Sequence, residues 1–449
     1  MALAPSQLSM EFIDSQEIQE TQKPELPNGR ANKLAAQDRA FHDWYRFVLS
    51  FPPHLVQDYI GKFGLTQNSV VLDPFCGTGT TLVETKLAGM KAIGLEGNPF
   101  PYFASSVQTS WDLDAELLSS RAREIAGEAL GILKAQGMDD NFPLEKEYKN
   151  LKSLLPEAEK LILTNSISPL PLHKSLVLFE CLKKIKNEPF YRHALLALGN
   201  ALVHKISNLH FGPEVGVKAP KIDVPVISNW LAEIEKMAGD LRNVAGIPYP
   251  KAIVHLADAR SLDALGDESV DAVITSPPYP NEKDYTRTTR LESVLLGFIN
   301  NKEELRTLKK RLVRSNTRGI YKADDDDQWV SEFPEIQRIA DEIEKRRIEL
   351  GKDSGFERLY PRATKLYFGG MARHLADLRK ILRPGAQLAY VVGDQASYLR
   401  VMIRTGQILG NIAQKLGYEL TGIDLFRTRL ATATKEQLRE EVILLKWKG

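Results

Sequence analysis

The stretch "SVVLDPFCGTGTTLVETKLAGMKAIGLEGNP" (residues 69–99) limits the possible folds more sharply than any other part of the chain. "VVLD" is a short apolar, β-branched run and predicts a buried strand. A glycine-rich turn follows, then "TTLVETKLAG" at helical spacing, stopping at Gly89, then a second strand, "KAIGLEG". Strand, crossover helix and strand form a βαβ unit, and such units build parallel sheets covered on both faces. Ligands of these sheets enter at the carboxyl ends of the strands, where glycines let them approach the backbone. Asp73, Pro74, Phe75, Gly77, Gly79 and Thr80 lie there, and Glu96 ends the next strand. The turn lacks G-x-G-x-x-G and has no P-loop lysine, which disfavours phosphate. An acidic residue at the position of Glu96 suits ribose hydroxyls, so a ribose-bearing cofactor fits. The alternative is a tight turn with a solvated Glu96.

The remaining sequence extends the α/β pattern and interrupts it twice. Residues 1–30 are polar and aperiodic and predict a flexible tail. A short helix is expected after Pro52-Pro53, with Leu55, Tyr59 and Ile60 on its apolar face. Between about 111 and 250 the segments "DAELLSSRAREIAGEALGILKAQ", "LKSLLPEAEKLIL", "PLHKSLVLFECLKKIK" and "NWLAEIEKMAGDLRNVAG" are amphipathic helices, with a loop "HFGPEVGVKAPKIDVP" among them. This region is long enough to bury a small core of its own. Strands resume at "AIVHLADAR" and "SVDAVITS". A charged, mostly helical stretch covers about 300–365, and the α/β pattern then returns, closing with "YELTGIDLFRT" and "EEVILLKWK" as an antiparallel pair.

Bulk properties set outer bounds. The 449 residues carry a formal net charge of +1 and 43% hydrophobic content, ordinary for a soluble chain of one large domain with insertions or two to three domains. No apolar run is long enough to span a bilayer and no signal-peptide pattern opens the chain, which predicts a cytoplasmic protein without membrane partners. Two cysteines, Cys76 and Cys181, exclude a disulfide framework and a four-cysteine zinc site. Near-zero net charge is compatible with nucleic-acid binding through one basic cleft.

"ITSPPYPNEKDY" (274–285) follows the strand "SVDAVI". Two consecutive prolines lack N–H groups and have fixed φ, so they make a rigid elbow. The Ser276 hydroxyl and the Pro277 carbonyl are acceptors that can grip both hydrogens of an exocyclic amine. That favours a pyramidal nitrogen and frees its lone pair. With Pro278 holding the elbow, Tyr279 can stack on a base swung out of its helix. The competing explanation is a proline turn with a core tyrosine. Asp258, in "VHLADARSL", can accept from an adenine amine or serve as a helix N-cap.

Together "HDWYRFVLSFPP", "VLDPFCGTGTTLVE…GLEGNP", "LADAR", "DAVITSPPYPNEKDY" and "AYVVGD" resemble the S-adenosylmethionine-dependent amino-methyltransferases of DNA, the N4-cytosine and N6-adenine modification methylases. The resemblance covers about 35–110, 250–298 and 365–449. It implies an α/β fold with the Rossmann-like class I methyltransferase sheet, the last strand antiparallel, plus a helical insertion. The catalytic domain would be 31–110 and 251–449, and 111–250 the candidate target-recognition region. It further implies that Asp73–Gly79 line the methionine part of S-adenosylmethionine, with Trp44, Phe47, Phe51 and Pro52 at that end. Glu96 would take the ribose, Asp258 the adenine amine, and Ser276–Tyr279 the target base. Serine before P-P-Y favours cytosine N4 over adenine N6. RNA or protein-amide methylation and a non-catalytic homologue are the alternatives. The substrate would be double-stranded DNA, with a cognate restriction or defence partner. Cys76 is not expected to be a nucleophile, since ring-carbon methylation needs a thiolate at the base-binding loop. Roughly 160 residues separate Glu96 from Asp258, far more than a crossover requires. The insertion's Lys218 and Lys221 are expected at DNA bases, and Lys309, Lys310, Arg311, Arg314 and Arg287 at phosphates.

Overall fold

The computed structural model describes residues 38–47, 50–141, 148–212, 214–281, 283–430 and 437–449. The predicted tail at 1–30 lies outside them. Seven strands form one sheet: β1 (Val70–Asp73), β2 (Lys91–Glu96), β5 (Ile253–Leu256), β6 (Val270–Thr275), β7 (Leu382–Gly393), β8 (Glu419–Leu430) and β9 (Gln437–Lys446). The small strands β3 (Leu209–Phe211) and β4 (Val215–Val217) form a separate hairpin.

The sheet order is β5-β2-β1-β6-β7-β9-β8. Strands β5, β2, β1, β6 and β7 are mutually parallel, while β9 is antiparallel to both β7 and β8. This is the Rossmann-like methyltransferase sheet with its last strand inserted antiparallel, as expected. The chain runs outward from β1 through β2 to the edge strand β5, then returns to the other side of β1 as β6. A crevice therefore opens at the carboxyl ends of β1 and β6. Both faces are covered, and the pleat divides the side chains between two layers. Leu72, Val273, Leu388, Tyr390 and Ile443 enter one core, and Val71, Ile274, Ala389, Val391 and Val442 the other.

The insertion departs from its expected independence. Helices Ala115–Ala135, Pro169–Lys184, Tyr191–Ala201 and Ile227–Val244 share one continuous core with Trp44, Val83, Phe100 and Leu291, which flank the sheet. It is welded to the sheet's outer helices rather than folded around a core of its own. The predicted helix "LKSLLPEAEKLIL" shrinks to Pro156–Glu159, because Leu155 precedes proline and is extended. The predicted loop "HFGPEVGVKAPKIDVP" contains the β3–β4 hairpin. The charged stretch is helical at Lys302–Lys310 and Pro334–Glu349, with largely irregular chain between them. Among the described residues no helix is long and apolar enough to cross a membrane.

A buried carboxyl joins the layers. Glu292 is fully buried and accepts the Tyr45 hydroxyl proton, and its Oε2 has no partner among the described residues. Burial pushes its pKa up to about 7. A raised carboxyl contributes stability at low pH that is lost as pH rises through the folded value. The loss falls between the ordinary glutamate range and about pH 7. Glu292→Gln removes that loss, so the stability of the variant relative to the parent should rise by roughly 2–3 kcal/mol from pH 5 to pH 8. Urea unfolding at both pH values measures it, and an unchanged difference would remove Glu292 as the titrating group.

Candidate active site

The crevice is a cleft of about 610 Å³, a size typical of ligand sites. Its lining includes the apolar side chains of Phe47, Phe51, Pro52, Pro74 and Phe75. The turn after β1 forms its floor. Asp73 Oδ1 accepts the Phe75 N–H at 3.1 Å, the Cys76 N–H bonds to the Leu95 carbonyl at 3.0 Å, and the Gly79 N–H closes onto the Cys76 carbonyl at 2.7 Å. Gly79 then caps the helix Thr80–Leu87 with φ +96°, a conformation glycine tolerates at little cost. Gly77 faces the cleft, and a Cβ there would meet nothing within 4 Å, so a ligand can lie against bare backbone.

Glu96 faces the same space from the end of β2. Its Oε2 accepts the Gly77 N–H at 3.0 Å and its Oε1 the Asn98 N–H at 2.7 Å. Each oxygen keeps a lone pair for a further donor. Burial raises its pKa to about 7, against the opposing pull of the two N–H groups.

The elbow after β6 forms the opposite wall, and Ser276, Pro277, Pro278 and Tyr279 all line the cleft. The Ser276 hydroxyl donates to the Val391 carbonyl at 3.2 Å and also stands within hydrogen-bond reach of the Tyr279 phenol. The Tyr279 N–H donates to the Tyr285 hydroxyl at 3.3 Å. Burial pushes the Tyr279 phenol well above its ordinary value, so the ring stays neutral. Asn281, Lys283 and Tyr285 of the same "PNEKDY" run line the cleft beyond the elbow. Their place directly after S-P-P-Y is the signal that could have found them. Phe426 and Arg427 arrive from β8, and no local sequence pattern marks them.

Several expected site residues stand elsewhere. Asp73 is fully buried behind the turn, where Oδ1 also receives the Thr275 hydroxyl at 2.6 Å; it holds the turn rather than lining the cleft. Gly79 also lies behind it, against Ser105. Trp44 is buried in the insertion's core with its indole N–H on Asp240. Asp258 is taken by Arg260, whose Nε and Nη2 reach it at 2.9 Å and 2.6 Å, so its carboxylate is not free for an amine; Ala257 and Ala259 face the cleft instead. Arg314 is buried and held by Asp324 and by neighbouring carbonyls, and Lys309 is spent on Asp284 at 2.7 Å. Lys310, Arg311 and Lys218 are exposed and Arg287 is half-buried. Lys221 donates to the Lys205 carbonyl. Cys76 is buried under the turn, and burial pushes its thiol up, away from the reactive thiolate.

A family model described as DNA methylase, for the N6 and N4 amino-methylases, matches residues 14–103, which span the glycine turn and Glu96. The Type II methyltransferase M.BsoBI of Geobacillus stearothermophilus is 25% identical over 466 residues, covering 96% of this chain and 88% of its own. The Type II methyltransferase M.AvaI of Nostoc sp. is 24% identical over 459 residues, covering 96% of this chain and 89% of its own. These likenesses support an amino-methyltransferase of the N4/N6 family of DNA methylases. Two solved structures are similar at a TM-score of 0.29. One is a SAM-dependent methyltransferase from Methanosarcina mazei, at 9% identity over 87% of this chain and 96% of that one. The other is a modification subunit of a putative type I restriction enzyme from Vibrio vulnificus YJ016, at 10% identity over 89% and 44%. The cofactor of this methylase family is S-adenosylmethionine. The bare Gly77 backbone, the lone pairs left on Glu96 and the apolar lining that includes Phe51 fit such a group.

Proposed function

We propose that the methylase transfers a methyl group from S-adenosylmethionine to N4 of a cytosine swung out of double-stranded DNA. The observation that carries this reading is the Ser276–Tyr279 elbow, which lines the same cleft as Gly77 and Glu96 and places the Ser276 hydroxyl and the Pro277 carbonyl side by side. When bound, the cofactor supplies the electrophilic methyl group. Glu96 accepts its ribose hydroxyls, the Gly77 backbone lies along it, and Phe51 packs at its methionine end. Ser276 and the Pro277 carbonyl each accept one amine hydrogen. Two acceptors favour a pyramidal nitrogen and release the lone pair that the ring otherwise holds. Tyr279 stacks on the extruded base, and Pro278 fixes the elbow between them.

Cytosine is favoured over adenine by the donor content of the pocket. With its amine held at the elbow, cytosine presents only acceptors, N3 and O2, and adenine has no carbonyl. Lys283 lines the cleft, and its ammonium has no partner among the described residues, so it can donate to that carbonyl. Lys310, Arg311 and Arg287 hold phosphates beside the flipped base. Lys309 and Arg314 act inside the protein, keeping that segment in place. The insertion reads flanking bases through the β3–β4 hairpin, whose tip brings Glu214 to the cleft and whose far side carries Lys218 and Lys221. Both curated relatives are Type II methyltransferases, which supports a restriction enzyme of the same recognition sequence as the partner.

Four outcomes follow. DNA incubated with the protein and S-adenosylmethionine, hydrolysed and read by mass spectrometry, should contain N4-methylcytosine; N6-methyladenine alone would overturn the base assignment. Ser276→Ala should lower kcat more than it weakens DNA binding, because its hydrogen bond strengthens as the amine pyramidalises. Glu96 must be ionised to accept best, so calorimetric affinity for S-adenosylhomocysteine should rise up to about tenfold from pH 6 to pH 8 and flatten in Glu96→Gln. An equal rise in the variant would take Glu96 out of the site. Neutralising Lys310 and Arg311 should weaken binding to all DNA sequences alike and flatten the salt dependence by about one unit of slope per lost contact. A changed sequence preference at constant slope would contradict the phosphate role.

A further inference from the structure

Leu312 reaches the cleft from outside the sheet. It lies in the irregular chain after the helix Lys302–Lys310 and is half-buried, while Val313 through Thr317 behind it are buried. A Cβ on Gly97 would fall 2.8 Å from Leu312 Cδ2, so the leucine occupies the space that a side chain at 97 would fill. The same point is 3.6 Å from the Ala257 carbonyl. Leu312 thus stands over the carboxyl ends of β2 and β5, one residue beyond Glu96, and lines the cleft.

The segment is fastened on both sides. Arg260 holds Asp258 with one edge of its guanidinium, reaches Asp326 at 2.5 Å, and donates to the Lys310 carbonyl at 2.8 Å. A Cβ on Gly369 would fall 1.8 Å from the Asp326 carbonyl, so the acidic run "DDDD" is seated directly on the helix Tyr360–Leu378. Arg314 closes the other side with Asp324 at 2.8 Å and the Lys309 carbonyl at 2.9 Å. An apolar side chain held by such anchors, with one flank open to a cleft, is preorganised for a flat apolar ligand group, which lowers the ordering cost of binding.

We propose that Leu312 is a cofactor-contact residue, forming the apolar wall for the purine of S-adenosylmethionine, so that the charged insertion completes the nucleoside half of the site. This rests on the reading in which Glu96 takes the ribose. The placement also explains why Asp258 can be spent on Arg260: that ion pair positions the wall.

Leu312 also packs on the small cluster of Val294, Ile299 and Leu308, so stability and binding are measured separately. Calorimetric titration of the full chain with S-adenosylhomocysteine should show roughly tenfold weaker binding in Leu312→Ala and near-parental binding in Leu312→Met. Thermal unfolding without ligand identifies any variant that fails to fold. If the alanine variant fails, Leu312→Val replaces it, with about threefold weaker binding expected. Affinity unchanged by truncation overturns the assignment of Leu312 alone. A parent chain that does not bind S-adenosylhomocysteine overturns the cofactor reading and this inference with it.

Discussion

The hydrogen bond from the Thr275 hydroxyl to the buried Asp73 carboxylate, 2.6 Å long, ties the last residue of β1 to the last residue of β6. Both turns that make the cleft depart from this point. The register places the strands side by side, Val71 against Ala272 and Leu72 against Val273. The glycine turn leaves toward the helix on one side, and the proline elbow leaves on the other. The Thr81 hydroxyl adds a second tie to the Ile274 carbonyl at 3.0 Å. In the proposed reaction a methyl donor and a methyl acceptor must meet within a fraction of an ångström of the right distance, and a rigid junction between the two turns would set that distance.

The electrostatics of the cleft follow from how its charges are spent. Burial raises Glu96, the carboxyl that faces the cleft, to a pKa of about 7, so near neutral pH it is only partly ionised. The cations of the charged stretch are divided. Lys309 and Arg314, with Arg260 from outside the stretch, are consumed by Asp284, Asp324, Asp258 and Asp326, which converts a highly charged sequence into a fixed wall. Buried ion pairs of this kind contribute geometry more than net stability. What remains for a polyanion is the outer face of the same wall.

Much of the framework was legible because it is local. The run from Val70 to Glu96 carries its strand, turn, helix and strand in consecutive residues, and the S-P-P-Y elbow advertises itself through two missing N–H groups. The errors arose where side-chain direction matters. Residue type at a strand end says nothing about which face it takes, so Asp73 read as cleft lining although it points behind the turn. Asp258 was different: Asp-x-Arg spacing in "LADAR" is itself a signal for the local ion pair with Arg260, and it was readable. Arg314 pairs with Asp324 ten residues away across irregular chain, where no periodicity operates. Phe426 and Arg427 reach the cleft only because β8 and β9 curl beside β7, a tertiary fact with no local trace.

The position of the insertion has a consequence for how the chain comes to be folded. β1 and β2 with their helix can close on their own, but β2 pairs with β5 through Leu95 and His255, and β1 pairs with β6 through Val71 and Ala272. Those partners leave the ribosome only after the whole helical insertion. The central βαβ unit therefore waits with both sheet edges bare, and closing such long loops before any reward slows assembly. Newborn chains are exposed to edge-to-edge association during that interval.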